Sequence, residues 1–395
     1  MTDLRSRRPG WRSAWLGVAA AAVIIVATAC GSSGNGGSAS DSTQPAAGST
    51  TSTTGAAQSA GGSLLTSATA AVNQHLQLPT KILETQAFKL KPGKMIYNIS
   101  CNLAIVGCGE ISTEIGDATK AIGYRFGRCN AGASPTQAQG CFTNAVNAKA
   151  SVIVDNDVPL VGSGSGFQQA KAAGIPIAGA FTGNPLVTVD EPTQAAEDAP
   201  SVEAQLLADY VISKSSGKAN VLYIGETQDN DGVLRGKAFL AEMAKCTTCK
   251  VTTIATNENT QITSAPPQIT AALEANPGID WIIGNQDTVS ALAVQVVGNL
   301  GRTGQIQIGG MDADPQNIQY IEQGKQAIDA TVGQGEVAYA AVYAAARIAS
   351  GQAVPLATPV NIWLIDSSNV SHVPSNGVFF GPADYQRQFL SLMGK

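Results

Sequence analysis

Along this chain of 395 residues, short polar groups repeatedly stand directly after apolar runs: Asp155-Asn156, Asn285-Gln286-Asp287, Met311-Asp312 and Gly333-Gln334, with Arg235-Gly236 opening a helix-like stretch. Side chains of these types make directional hydrogen bonds to hydroxyls, amides or carboxylates without activating a nucleophile. Each also has a local reading, since Asn285, Asp287 and Asp312 suit helix caps. Their recurrence at strand ends points to one bound solute.

The motifs of catalysis are missing. Gly162-Ser-Gly-Ser-Gly166 has Gly where a G-x-S-x-G nucleophile would stand, and Phe167 breaks a G-x-G-x-x-G reading; no Gly-Lys pair precedes Ser or Thr. An EF-hand pattern begun at Thr227 lacks its first Asp and has Ala238 in place of the bidentate Glu. His75 and His372 lie at opposite ends of the chain, too few for zinc or for imidazole acid–base work. The expectation is a binder, not an enzyme, with no cofactor and no metal.

The elements that must position these groups follow from periodicity. β-rich runs are expected at Met95–Ile99, Ser151–Val154, Ile175–Phe181, Asn220–Gly225, Val251–Ala255, Trp281–Gly284, Ile306–Gly309 and Ala327–Val332. Helical spacing separates them, for example at Ser201–Ser213, Leu234–Lys245, Ser290–Leu300 and Glu336–Ser350, after a short helix at Ser67–Gln77. Continuous apolar strands alternating with helices specify an α/β fold, doubly wound. About ten such units exceed one comfortable sheet, so two lobes are expected, with a ligand in the cleft facing the carboxyl ends of both sets of strands.

The first thirty residues read as an export signal. Arg5, Arg7, Arg8 and Arg12 precede an uncharged apolar run, Ala14 to Val26, that is short for a membrane span, and Ala27-Thr-Ala-Cys30 follows. Small residues before a cysteine resemble the lipobox of bacterial lipoproteins, which implies acylation of Cys30 and a lipid anchor on the outer face of the cell membrane. Residues 31–62 hold 21 Gly, Ser or Thr among 32, the composition of a flexible tether. Net charge is −5 overall and no Lys/Arg run occurs, which argues against nucleic acid.

Cys101, Cys108, Cys129, Cys141, Cys246 and Cys249 remain, an even number in an exported chain and hence a disulfide framework. Close spacing suggests Cys101–Cys108, Cys129–Cys141 and Cys246–Cys249, although fifteen pairings are open. The C-x-x-C at Cys246 also admits an oxidoreductase reading, which its place between a helix and a strand disfavours.

Three runs together, Ile308-Gly-Gly-Met-Asp312-Ala-Asp-Pro315, Ile321-Glu-Gln-Gly-Lys325 and Ala330-Thr-Val-Gly-Gln334, resemble the last third of ribose-type (type 1) periplasmic binding proteins, the receptors of ABC importers. Leu234-Arg-Gly-Lys-Ala-Phe239, Trp281-Ile-Ile-Gly-Asn-Gln-Asp287 and Ala173-Gly-Ile-Pro-Ile177 fall in the same order, so the likeness spans residues 92–366. It implies two Rossmann-like lobes joined by three crossings, near 189–194, 332–336 and 353–358. The resulting division is signal 1–29, linker 30–65, helix and lead-in 66–91, first lobe 92–190 plus 335–356, second lobe 191–334 plus 357–366, and tail 367–395. It also implies that Arg235, Gln286, Asp312 and Gln334 bind the ligand.

In the first lobe, Asn102, Ile105, Asp155, Phe181 and Thr182 complete the candidate site. Phe181-Thr182 stand where the sugar binders commonly carry an acidic residue followed by Arg. That departure predicts weak ribose binding and a preference for a deoxy, methylated, aromatic or carboxylated molecule, because Phe offers an apolar face where a sugar needs partners. The role implied is a monomeric, extracytoplasmic receptor that hands a small polar ligand to an ABC permease. Signalling to a membrane sensor is the alternative for the same fold.

Overall fold

The computed structural model describes residues 54–395 apart from 133, 161, 185–186, 188–191, 195–196, 228–229, 258–259 and 354–357, with only the backbone course for 54–61, 192–194 and 197. The signal, Cys30 and most of the Gly/Ser/Thr stretch therefore lie outside the described residues, as do most of the expected crossings at 189–194 and 353–358.

Helix α1 (Thr54–His75) comes first. The first lobe then runs β1 (Met95–Ser100), α2 (Val106–Ala121), β2 (Arg125–Asn130), α3 (Pro135–Asn147), β3 (Val152–Asn156), α4 (Gly164–Ala172) and β4 (Ile177–Gly179). Its sheet has the order β2-β1-β3-β4, every pair parallel. Each residue of β1 and β3 is buried because helices cover both faces, and a strand wetted on neither side must be apolar almost throughout. Phe142 of α3 and Phe167 of α4 meet at 4.7 Å over Ile99 and Ile153 on one face.

A two-stranded pair, β5 (Pro192–Gln194) and β6 (Glu197–Asp198), leads into α5 (Ala199–Lys214), whose first turn is capped by the Asp198 carboxylate accepting from Ser201 N at 2.8 Å. The second lobe continues with β7 (Asn220–Glu226), α6 (Asn230–Met243), β8 (Lys250–Thr256), α7 (Gln261–Ala275), β9 (Trp281–Gly284), α8 (Asp287–Asn299), β10 (Gln307–Met311), α9 (Pro315–Glu322) and β11 (Ile328–Val332). Helix α10 (Gln334–Ala349) returns to the first lobe, and β12 (Ile362–Asp366) and α11 (Tyr385–Leu392) close the chain. The second sheet has the order β12-β11-β10-β9-β7-β8, parallel except for β12, which runs antiparallel to β11.

The fold is thus α/β with two mainly parallel sheets. The strand pattern missed β2, β12 and the short pair β5 and β6. Strand β2, Arg-Phe-Gly-Arg-Cys-Asn, is an edge whose side chains stay largely wetted, so it carries no continuous apolar run. The three bridges are those that close spacing suggested: Cys101–Cys108, Cys129–Cys141 and Cys246–Cys249. The last clips the turn between α6 and β8, where Cys249 N donates to Cys246 O at 3.1 Å.

Both ends of the described chain depart from expectation. Helix α1 starts at Thr54 rather than Ser67 and packs on α5 and β12, because Leu64, Ala68, Ala71 and Val72 find apolar partners that a Gly/Ser/Thr composition does not reveal. The lead-in then joins the first lobe, where Phe88 meets Tyr343 edge-on at 5.3 Å and Arg347 donates to Gln86 Oε1 at 3.2 Å. Residues 367–395 are no loose tail. They cross back so that α11 packs on α10 and α2, and Tyr385 donates to Glu114 Oε2 at 2.8 Å.

This return runs beside the passage from β11 to α10. A Cβ on Gly333 would stand 2.5 Å from Gly381 Cα, so the two strands of chain touch backbone to backbone there. Gly381 itself sits at φ +130°, open to glycine alone among ordinary residues. Counting the lead-in and this return, the chain passes between the lobes five times, where the resemblance implied three.

Candidate ligand-binding cleft

Between the carboxyl ends of the two sheets lies a cleft of about 340 Å³. From the second lobe, β7 ends at Glu226, β9 delivers Asn285 and Gln286, and β10 delivers Asp312; α6 brings Asp231 and Arg235, and the start of α10 brings Gln334. From the first lobe come Asn102 and Ile105, on the loop closed by Cys101–Cys108, together with Asn156, Asp157 and Phe181. Three of these residues hold backbone conformations that side chains disfavour, Asp157 at φ +53°, Phe181 at φ +61° and Asp312 at φ +110°. Strain of that kind persists where the surroundings over-determine it, and it clusters at binding sites.

Arg235 organises the second-lobe wall. It is 1% exposed, and its guanidinium donates to Asn285 O at 2.9 Å, Glu203 Oε2 at 2.8 Å and Asp312 Oδ1 at 2.5 Å. Asp231 stands one helical turn away at 3.6 Å, and the Phe181 ring lies 5.2 Å from the guanidinium carbon. Burial by itself would weaken the Arg235 charge, but Asp312, Glu203 and Asp231 hold its pKa well above the usual value. Burial pushes Glu203 up to about 8, against the pull of Arg235, and raises Asp312 also.

Of the nine residues expected at the site, Asn102, Ile105, Phe181, Arg235, Gln286, Asp312 and Gln334 line the cleft. Asp155 and Thr182 do not. Asp155 is fully buried and accepts from Val158 N at 3.0 Å, from Thr182 Oγ1 at 3.3 Å and from Asn184 Nδ2 at 3.4 Å, fastening the loops after β3 and β4 beneath Phe181. Their polar atoms are spent on the scaffold. Val106, next to Ile105, is 42% exposed and is not part of the lining.

Sequence reasoning missed Glu203, Glu226, Asp231, Asn285 as a lining group, and Asp314. Glu203 had a signal: it interrupts the apolar face of α5 between Val202 and Leu206, and a buried charge there needs a partner.

Below the Asp312 loop sits a second acidic feature. Asp287 and Asp329, 1% and 0% exposed, lie close together, and each accepts a backbone N–H of the loop: Asp314 N to Asp287 at 2.6 Å and Ala313 N to Asp329 at 2.9 Å. Gly310 beneath them cannot carry a Cβ, which would collide with the Asp287 carboxylate. Two buried carboxyls this close disfavour being ionised together. Burial followed by mutual repulsion raises Asp287 well above its usual range, and burial raises Asp329 to about 7. Glu336, buried at the start of α10, is likewise lifted to about 8.

All these acids bind protons more tightly when folded, so stability is fullest below the unfolded carboxyl range near ~4 and is lost as pH rises through about 7 to 8. Denaturant midpoints measured from pH 5 to pH 9 should therefore fall with rising pH. Asp287→Asn, which keeps a donor toward Asp329, should flatten the slope. A midpoint that climbs across this range would contradict the assignment.

Two α/β lobes thus bring their strand ends together on one polar cleft, the arrangement of a two-lobed solute-binding fold. Residues 102–353 match the periplasmic binding protein domain, and the chain belongs to that family. Among solved structures, the glucose–galactose binding protein GanP of Geobacillus stearothermophilus is similar with TM-score 0.64 at 18% identity, over 71% of this chain and 99% of that one. An ABC transporter solute-binding protein of Agrobacterium vitis with bound allitol gives TM-score 0.64 at 20% identity over 71% and 98%. The XylFII–LytSN complex gives 0.60 at 16% over 71% and 100%. No curated protein matches.

Proposed function

We propose that the protein is a lipid-anchored, extracytoplasmic receptor that closes its lobes on a small polyhydroxylated solute and presents it, as a monomer, to an ABC import permease. The observation that carries this reading is the set Arg235, Asp312, Gln286 and Gln334 lining one cleft at the strand ends. Its volume, about 340 Å³, is at the small end for ligand pockets and suits a monosaccharide or polyol. The relatives named for glucose and galactose, or solved with allitol, agree with that class. Nothing in the reading requires a cofactor, a metal or a catalytic step.

The anchor belongs to the same reading and rests on Ala27-Thr-Ala-Cys30. Cys30→Ala should move the protein from the membrane fraction to the medium or to an uncleaved precursor. A second reading, in which the closed receptor signals to a membrane sensor, is favoured by the likeness to a chain solved within the XylFII–LytSN complex.

Thermal shifts of the full chain against sugars, polyols, amino acids and aromatic acids test the proposal. A ligand at a hundred times its dissociation constant adds about 2.7 kcal/mol to stability, a readily seen shift. If no sugar or polyol stabilises the protein, the solute class is wrong. Ribose should bind weakly beside Phe181, and micromolar ribose affinity by calorimetry would overturn that part.

A further inference from the structure

The lining of the cleft is unequally charged. Asp157, Glu226, Asp231, Asp312 and Asp314 face it, and among the described residues Arg235 is the one cationic side chain that does. That charge is already engaged: Glu203, Asp312 and Asp231 surround it, and the Phe181 ring lies close to it. An incoming anion would meet carboxylates in excess and a guanidinium with its charge compensated.

Two buried amides point to the same preference. Gln334 and Asn285 line the cleft while only 5% and 1% exposed, and Gln334 Oε1 and Asn285 Oδ1 have no hydrogen-bond partner. An orphaned buried acceptor is costly unless a ligand supplies the donor. Hydroxyls and ammonium groups donate; carboxylates do not.

Resting on the reading that a small solute binds here, we propose that the cleft takes a polyhydroxylated solute bearing a protonated amine and rejects its carboxylated counterpart. This sets aside the carboxylated option among the sequence expectations, which followed from the apolar face of Phe181 and did not weigh the carboxylates lining the cleft. Asp314 is the best lever. It stands at the N-terminus of α9 with no side-chain capping bond, so Asp314→Asn removes a lining charge without removing a cap.

The test uses the full chain and sets matched at one carbon: glucose, 6-amino-6-deoxyglucose and glucuronate, and the corresponding galactose set, by calorimetry. The amine should bind at least about tenfold tighter than the neutral sugar, a difference of about 1.4 kcal/mol. Asp314→Asn should shrink that ratio. A neutral or acidic member binding tightest overturns the proposal.

A second measurement needs no ligand. In Thr288→Cys, a half-buried lining position, cationic and anionic methanethiosulfonates are compared by peptide mass and referred to their rates with a free thiol. The cationic reagent should gain about tenfold or more in relative rate, and an unchanged ratio overturns the charge selectivity. A cation-favouring thiol with no sugar set binding would leave the charge selectivity standing and instead refute the sugar class of the proposed function.

Discussion

Arg235→Ala should cost about 3–5 kcal/mol of folding stability and abolish ligand binding together, because the side chain is a core ion before it is a ligand contact. It is 1% exposed and joins α6 to Glu203 on α5, to the Asn285 carbonyl after β9 and to Asp312 after β10. Read from the sequence only as a ligand contact, Arg235 would spare stability when truncated. The structure corrects that, since removing the guanidinium strands the fully buried Glu203. Pairing Arg235→Met with Glu203→Gln should restore most of the stability, by replacing a buried ion pair with neutral groups, yet leave binding lost. Denaturant midpoints and calorimetry on the three proteins separate the two roles. An Arg235→Ala midpoint within about 1 kcal/mol of the parent would show that Glu203 needs no partner.

A comparable loss, about 3–5 kcal/mol, is expected for Phe389→Ala, far from the cleft and in a segment that reads as a tail. Phe389 is fully buried on α11, with ring centroids 6.3 Å from Tyr339 and 6.1 Å from Tyr343 of α10. Truncation would open a cavity against helix α10, whose own interior is almost entirely buried. Binding should change little once the variant is folded, because neither partner lines the cleft. A midpoint shift below about 1 kcal/mol would mean that α11 is detachable, leaving α10 sufficient for the first lobe.

The two outcomes bear on how the receptor moves. Five passages of chain between lobes, with α1 held on the second and α11 on the first, resist separation more than three would. Each end of the described residues packs on the lobe remote from it in sequence.

What the sequence determined by itself is the content of local patterns. Uninterrupted runs such as Val152–Asn156 and Trp281–Gly284 could only be strands buried on both faces. Polar residues immediately after such runs had to stand at strand ends, so Gln286, Asp312 and Gln334 were legible there, and the family resemblance implied Arg235 beside them; all four line the cleft. Short cysteine spacings pointed to the pairs the fold contains. Tertiary structure alone decided the rest, because it depends on which distant residues meet. Asp155 and Thr182 obey the same strand-end rule as Asp312, yet they satisfy each other below the floor of the cleft. Glu203 is an interior charge that becomes intelligible only when α6 lays Arg235 across it. Strand β12 and helices α1 and α11 are stabilised by burial against remote surfaces, and the edge strand β2 by its ladder to β1; both are properties of the assembled fold that no window of sequence records.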